Sequence, residues 1–114
     1  MKLAADPEAA GWLDRLPDEP EVFDWDRGNR VKLSKHGVTP EEVESILASP
    51  GVFAGRIVEP AHDESRWLLL GQSTKGRHLT LIFTRRGDRL RPISCRPMRR
   101  KERRAYEEAI SEDH

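Results

Sequence analysis

Cysteine is nearly absent. Cys95 stands alone in 114 residues, which excludes an internal disulfide and any cysteine-based metal cluster. A lone thiol of this kind reads as a small buried apolar side chain, and the lack of disulfides points to a reducing compartment. Long apolar runs are missing too. No stretch approaches a membrane span, and the N-terminus has no basic flank followed by an apolar run, so neither an anchor nor a signal peptide is expected. Apolar residues make up only 36% of the chain and charged ones 35%, which predicts a thin core under a charged shell. The length suits one domain that needs no metal or disulfide. The expectation is a soluble cytoplasmic protein.

Net charge is also absent, at zero, but the average hides a segregation. Residues 1–26 carry Asp6, Glu8, Asp14, Asp18, Glu19, Glu21, Asp24 and Asp26 against Lys2 and Arg15. Residues 85–104 carry Arg85, Arg86, Arg89, Arg91, Arg96, Arg99, Arg100, Lys101, Arg103 and Arg104 against Asp88 and Glu102. A neutral protein with a strongly basic end still presents a local field suited to a polyanion.

Residues 1–22 read as an acidic arm. Asp6-Pro7-Glu8 suits the start of a short helix with Trp12, Leu13 and Leu16 on one stripe; a disordered leader is the alternative. Val22–Trp25 predicts a short strand, and Asp26 the N-cap of a helix ending at Gly37, with Asn29, Leu33 and His36 on one face. Thr39-Pro40-Glu41-Glu42 is a helix start in which Glu42 closes a capping box; Val43, Ile46 and Leu47 form its buried stripe, and Ser49-Pro50-Gly51 its end. The period then switches to two. Strands are predicted over 52–58, 66–72, 79–84 and 90–96, joined by short turns and hence antiparallel. Leu79, Leu81 and Phe83 alternate with Thr80, Ile82 and Thr84, so that strand is covered on both faces. A last helix covers 98–109. The fold class is α+β: two N-terminal helices, a four-stranded antiparallel meander and a C-terminal helix.

Several short motifs, in order and in register, resemble one family. They are Phe23-Asp24-Trp25-Asp26 with Asn29, Lys35-His36-Gly37-Val38, Glu64-Ser65-Arg66, Gly71-Gln72, Gly76-Arg77 and Phe83-Thr84-Arg85-Arg86-Gly87. Ile93 through Met98 and Glu102-Arg103-Arg104-Ala105-Tyr106 complete the set. Together they resemble the BrnT toxins over residues 23–108. That resemblance implies a RelE-like fold, a ribonuclease activity that stops translation, and a BrnA-like antitoxin encoded beside it. It divides the chain into an acidic arm (1–22), a toxin domain (23–110) and an acidic tail (111–114). The chain departs from the family pattern at Cys95, where alanine is usual, at Pro92 inside the last strand, and in the length of its acidic arm.

Metal-free RNA cleavage needs a base for the 2′-hydroxyl, an acid for the leaving 5′-oxygen, and cations for the phosphorane. Arginine supplies a fork that matches two phosphate oxygens and keeps its charge. Arg66, Arg85 and Arg96 are the candidate transition-state cations; each could instead sit in an ion pair, Arg66 with Glu64 for example. His36 is the first candidate acid or base, with Glu64 second, though a histidine beside a helix C-cap also gains from the helix dipole without any chemistry. Lys35, Arg86, Arg100, Lys101, Arg103 and Arg104 are candidate RNA-binding residues. The histidines show no metal-ligand spacing, so neither metal nor cofactor is expected. Trp25 and Trp67 read as core, and Trp12 as a partner contact. The expected partners are RNA and the antitoxin, with DNA reached only through the antitoxin and no membrane. The alternative is a non-catalytic module of the same fold that holds RNA or antitoxin.

Overall fold

The computed structural model describes residues 1–48 and 51–112. The helix end expected at Ser49-Pro50 and the last two residues of the acidic tail lie outside them. Five strands form one antiparallel sheet in sequence order: β1 (Lys2–Ala4), β2 (Val52–Glu59), β3 (Trp67–Gln72), β4 (His78–Arg86) and β5 (Arg89–Pro97). Between β1 and β2 come α1 (Pro7–Asp14), a 3₁₀ turn (Pro20–Val22), α2 (Arg27–Ser34) and α3 (Pro40–Ala48); α4 (Arg100–Glu112) follows β5.

The four expected strands are present to within two residues at each end. The α+β class holds, and the count changes by one strand and one helix. The fifth strand, β1, adds to the free edge of β2, with Leu3 opposite Ile57. Three residues with one large apolar side chain give too short a pattern to announce it.

Alternation along the strands builds two apolar layers. Trp67, Leu69, Leu79, Leu81, Phe83, Leu90 and Cys95 face α1, α2 and α3, where Trp12, Phe23, Leu33, Val43 and Ile46 complete the main core. Leu68, Leu70 and Ile82 face the other way, against Tyr106, Met98 and Ile110. Gly71 lets α3 approach β3, since a Cβ there would run into Ile46. Pro92 is accommodated at a β-bulge on the edge strand: Ile82 pairs with Ser94 and Phe83 with Pro92, leaving Ile93 over.

The N-terminal segment is folded onto this frame. Asp6 caps α1 by accepting from the Ala9 amide at 3.1 Å, and its other oxygen accepts from the Trp67 indole N–H at 2.8 Å. That indole, with the Ala9 amide and Arg56, holds the Asp6 carboxyl below its usual range against the effect of burial. Trp12, expected to be free for a partner, is instead buried, because α1 presses its apolar stripe onto the core.

Three local expectations change. Val22–Trp25 is not a strand; Phe23 makes one isolated bridge to Leu90 after Pro20 sets a 3₁₀ turn. Helix α2 stops at Ser34, so the turn to Gly37 (φ +65°) swings His36 into solvent and off the face shared by Asn29 and Leu33. Thr39 does accept the Glu42 amide at 3.1 Å, but the Glu42 side chain turns inward rather than closing the box.

Candidate active site

On the α4 side of the sheet, the end where β3 begins and β4 finishes is left open. Thr84 donates its hydroxyl to the Ser65 carbonyl at 2.7 Å, pinning the loop after β2 across β4. Arg66 lies one residue before Trp67, so strand alternation turns it away from the main core. Glu64 hangs from the same pinned loop. Arg86, at the end of β4, reaches Glu64 Oε2 at 2.6 Å, while Arg66 Nη2 lies 3.8 Å from Oε1. One carboxylate is thus held between two guanidinium groups.

Around this trio runs a shallow groove of about 270 Å³, walled by Lys32 and Asn29 of α2 and by Arg91 of β5. Asn29 fixes that wall. Its amide donates to the Asp24 carbonyl at 3.0 Å and the Pro92 carbonyl at 3.1 Å, and its oxygen accepts from the Asp26 amide at 2.8 Å. Arg91 is steadied from behind by Asp26 at 2.9 Å and Asp24 at 3.5 Å. The Asp26 carboxyl is held below its usual range chiefly by the Asn29 amide and, more weakly, by Arg91. Four cations and one carboxylate line the groove. The Nε of Arg66 is buried with no hydrogen-bond partner among the described residues.

The structure therefore gathers three of the expected residues, Glu64, Arg66 and Arg86, and separates the rest. Arg85 follows Phe83 on the opposite face, 4.4 Å from the Trp12 ring centroid and 3.4 Å from Glu8. Arg96 makes a two-pronged pair with Glu102 at 2.7 and 2.9 Å, beneath the start of α4. Glu102 is half-buried, which raises its pKa. Hydrogen bonds from Arg96, the Arg99 amide and Thr80 more than offset this, so it stays ionised below the usual range. This cluster anchors the helix. His36 is exposed and does not line the groove. Lys35 is exposed on the same turn, Arg103 pairs with Glu107 at 2.7 Å along α4, and Arg104 is exposed. Arg100 and Lys101 line a separate depression beside β1.

Lys32, Arg91 and Asn29 are the residues that sequence reasoning missed as site members. Asn29 belonged to the quoted motif, and Arg91 was counted only within the basic stretch. Among the described residues no three His, Cys, Asp or Glu side chains gather as a cation's ligands would, and no helix is long and apolar enough to cross a membrane.

Cys95 takes no part. It is fully buried, and burial, helped by nearby Glu42, pushes its thiol up to about 12. At neutral pH it is not a nucleophile. Iodoacetamide at pH 8 should leave the native protein unmodified and label it in denaturant; rapid native labelling, read by intact mass, would contradict this burial.

The family model for "Ribonuclease toxin, BrnT, of type II toxin-antitoxin system" matches residues 25–102, a span that contains every residue lining the groove. The chain belongs to that ribonuclease toxin family. No curated protein matches it.

Proposed function

We propose that the protein is a metal-independent endoribonuclease that cleaves RNA at the groove, inhibits translation, and is neutralised by a cognate BrnA-like antitoxin. The observation that carries the reading is Glu64 held between Arg66 and Arg86 on an open, cation-lined sheet surface. Among the described residues Glu64 is the only carboxylate lining the groove, and it takes the proton of the 2′-hydroxyl as that oxygen attacks its own phosphorus. Arg66 and Arg86 flank the position where the phosphorane gains charge, and such fixed donors act most strongly where charge develops. Lys32 and Arg91 track the neighbouring phosphates. The 2′-hydroxyl that serves as nucleophile also selects RNA over DNA. As the P–O5′ bond breaks, solvent water in this open groove protonates the departing 5′-oxygen, since the other ionisable side chains lining it are lysine and arginine and His36 lies elsewhere.

The reading is tested by incubating purified protein with a defined RNA in EDTA and mapping the ends. Internal cuts leaving 2′,3′-cyclic phosphate or 3′-phosphate are expected, with cleavage unaffected by the chelator. Activity lost in EDTA and restored by magnesium would refute the metal-free step. Saturable RNA binding without any cut would place the chain with the non-catalytic modules.

A further inference from the structure

The chemistry above uses none of residues 1–22, yet they are tied to the sheet at the end where the groove lies. Strand β1 adds to β2 with Ala4 opposite Arg56. Gly55 permits that approach: its φ of +133° suits glycine, and a Cβ there would lie 2.6 Å from the Ala4 carbonyl oxygen. The pairing delivers Asp6 to the start of β3. One of its carboxylate oxygens accepts from the Trp67 indole N–H at 2.8 Å, and Arg56 stands 3.6 Å from the same oxygen. The other oxygen caps α1 through the Ala9 amide at 3.1 Å. Only 18% of the Asp6 side chain is exposed, so these bonds are far less open to solvent than a surface ion pair.

Trp67 follows Arg66 directly, and strand alternation puts their side chains on opposite faces of one backbone. The indole is held on the core side while Arg66 lines the groove. The Arg66 carbonyl accepts from the Ile57 amide at 2.8 Å, so this stretch of backbone is clamped between β2 and the Asp6 bond. The Arg66 side chain itself has weaker guidance. Its Nε makes no hydrogen bond among the described residues, and the Glu64 oxygen lies 3.8 Å from Nη2. A second tie runs beside Arg86: Glu8 lies 3.4 Å from Arg85, whose guanidinium sits 4.4 Å from the Trp12 ring centroid. Glu8 is 79% exposed, so that tie is weak and the Asp6 bond carries the effect.

We propose that Asp6 is a positioning residue for the RNA groove: its bond to the Trp67 indole fixes the backbone from which Arg66 reaches the phosphate. The brace stands on the contacts of Asp6, Trp67 and Ile57; its effect on rate rests on the cleavage reading above. Asp6 lies outside residues 25–102, so the brace comes from a segment that the family's matched span does not include. A misplacement of about 1 Å at a reacting centre costs up to about 10²-fold in rate, so a small shift of Arg66 is enough to be measured.

Asp6→Ser is the test variant, because serine still caps α1 but is too short to reach the Trp67 indole. Trp67→Phe removes the N–H from the other side and keeps an aromatic ring against Phe83. Each should lower kcat about fivefold or more, with KM within about twofold because every cation stays in the groove. In an Arg66→Ala background, Asp6→Ser should add less than about twofold, since a residue that acts through Arg66 then has nothing to position. Rates are taken per folded molecule, with circular dichroism at the assay temperature. With no RNA present, hydrogen exchange followed by NMR should speed up about tenfold at the Ile57 amide in Asp6→Ser. The Met98 amide, which donates to the His78 carbonyl at 3.0 Å at the far end of the sheet, should keep its rate. An unchanged kcat in both variants, or an undiminished further loss on top of Arg66→Ala, would overturn the positioning role. Exchange unchanged at Ile57, or raised equally at Met98, would overturn the brace itself. Local exchange as expected in a protein that cuts no RNA would sink the cleavage reading and leave the brace standing.

Discussion

Arg66→Ala and Glu64→Gln should each lower the RNA cleavage rate by about 10²-fold or more, the scale of losing one preorganised donor or a positioned base. The two losses should differ in kind. Glu64→Gln keeps the size of the side chain and removes its ability to take a proton, so it should lower kcat with little effect on KM. Arg66→Ala removes charge that also faces the phosphate of bound substrate, so it should raise KM as well as lower kcat, and kcat/KM should fall further than kcat. Arg86→Ala should follow Arg66→Ala, because its guanidinium holds the other Glu64 oxygen at 2.6 Å. Arg85→Ala provides the contrast. Its side chain lies on the far face against Trp12 and Glu8, so cleavage should fall by less than about threefold while stability drops slightly with the cation–π contact. A loss at Arg85 equal to that at Arg66 would refute the groove as the site. Arg96→Ala should act through folding instead, since it frees Glu102 and loosens α4. Circular dichroism and melting curves on every variant separate the two kinds of loss.

What the sequence revealed follows from the range of the interactions involved. Strands β2 to β5 were legible because a period of two survives in Leu79 to Thr84 and the turns between strands carry Gly, Pro and Asp. The Glu64–Arg66–Arg86 grouping was half legible, as all three sit in the quoted motifs, but only the register of β3 on β4 shows that Arg86 rather than Arg85 shares their face. Lys32 and Arg91 were illegible as partners because they meet through the crossing of α2 over β5 and a bulge at Pro92, neither of which leaves a local pattern. His36 was misplaced by helix periodicity carried past Ser34, where the helix stops. Strand β1 and the burial of Trp12 depend on Asp6 bonding to Trp67, 61 residues away in the chain, a contact no window of sequence contains.

The largest effect on stability should come from a pair outside the groove. Glu42 is 2% exposed and receives both Nε and Nη2 of Arg77 at 2.8 Å and the Ser73 hydroxyl at 2.8 Å. Arg77 also donates to the Gly37 carbonyl at 3.0 Å, so the network ties the turn after α2, helix α3 and the β3–β4 hairpin together. Removing one partner of a buried pair strands the other, at a cost of about 3–5 kcal/mol. The two partners are not equivalent, because Arg77 keeps 37% of its side chain in solvent and Glu42 keeps 1%. After Glu42→Gln, Arg77 can rehydrate, and the loss should be roughly 1.5–2 kcal/mol, the lower part of the range for a lost charged hydrogen bond. After Arg77→Ala, the carboxylate stays buried with only Ser73, and the loss should reach about 3 kcal/mol, lowering the melting temperature by roughly 10 °C. The pH dependence gives the sharper test. In the wild type the Arg77 hydrogen bonds, outweighing burial, hold the Glu42 carboxyl below its usual range. Its contribution is therefore complete above the ordinary glutamate pKa, about 4.3, and disappears as pH falls through the lower folded value. Without Arg77, burial dominates and the folded pKa rises above the ordinary value, so the sign reverses. Denaturant unfolding between pH 7 and about pH 5 should show Arg77→Ala recovering part of its deficit relative to wild type on acidification, while Glu42→Gln shows no such recovery. Parallel curves for Arg77→Ala and wild type would mean that Glu42 does not carry a buried charge.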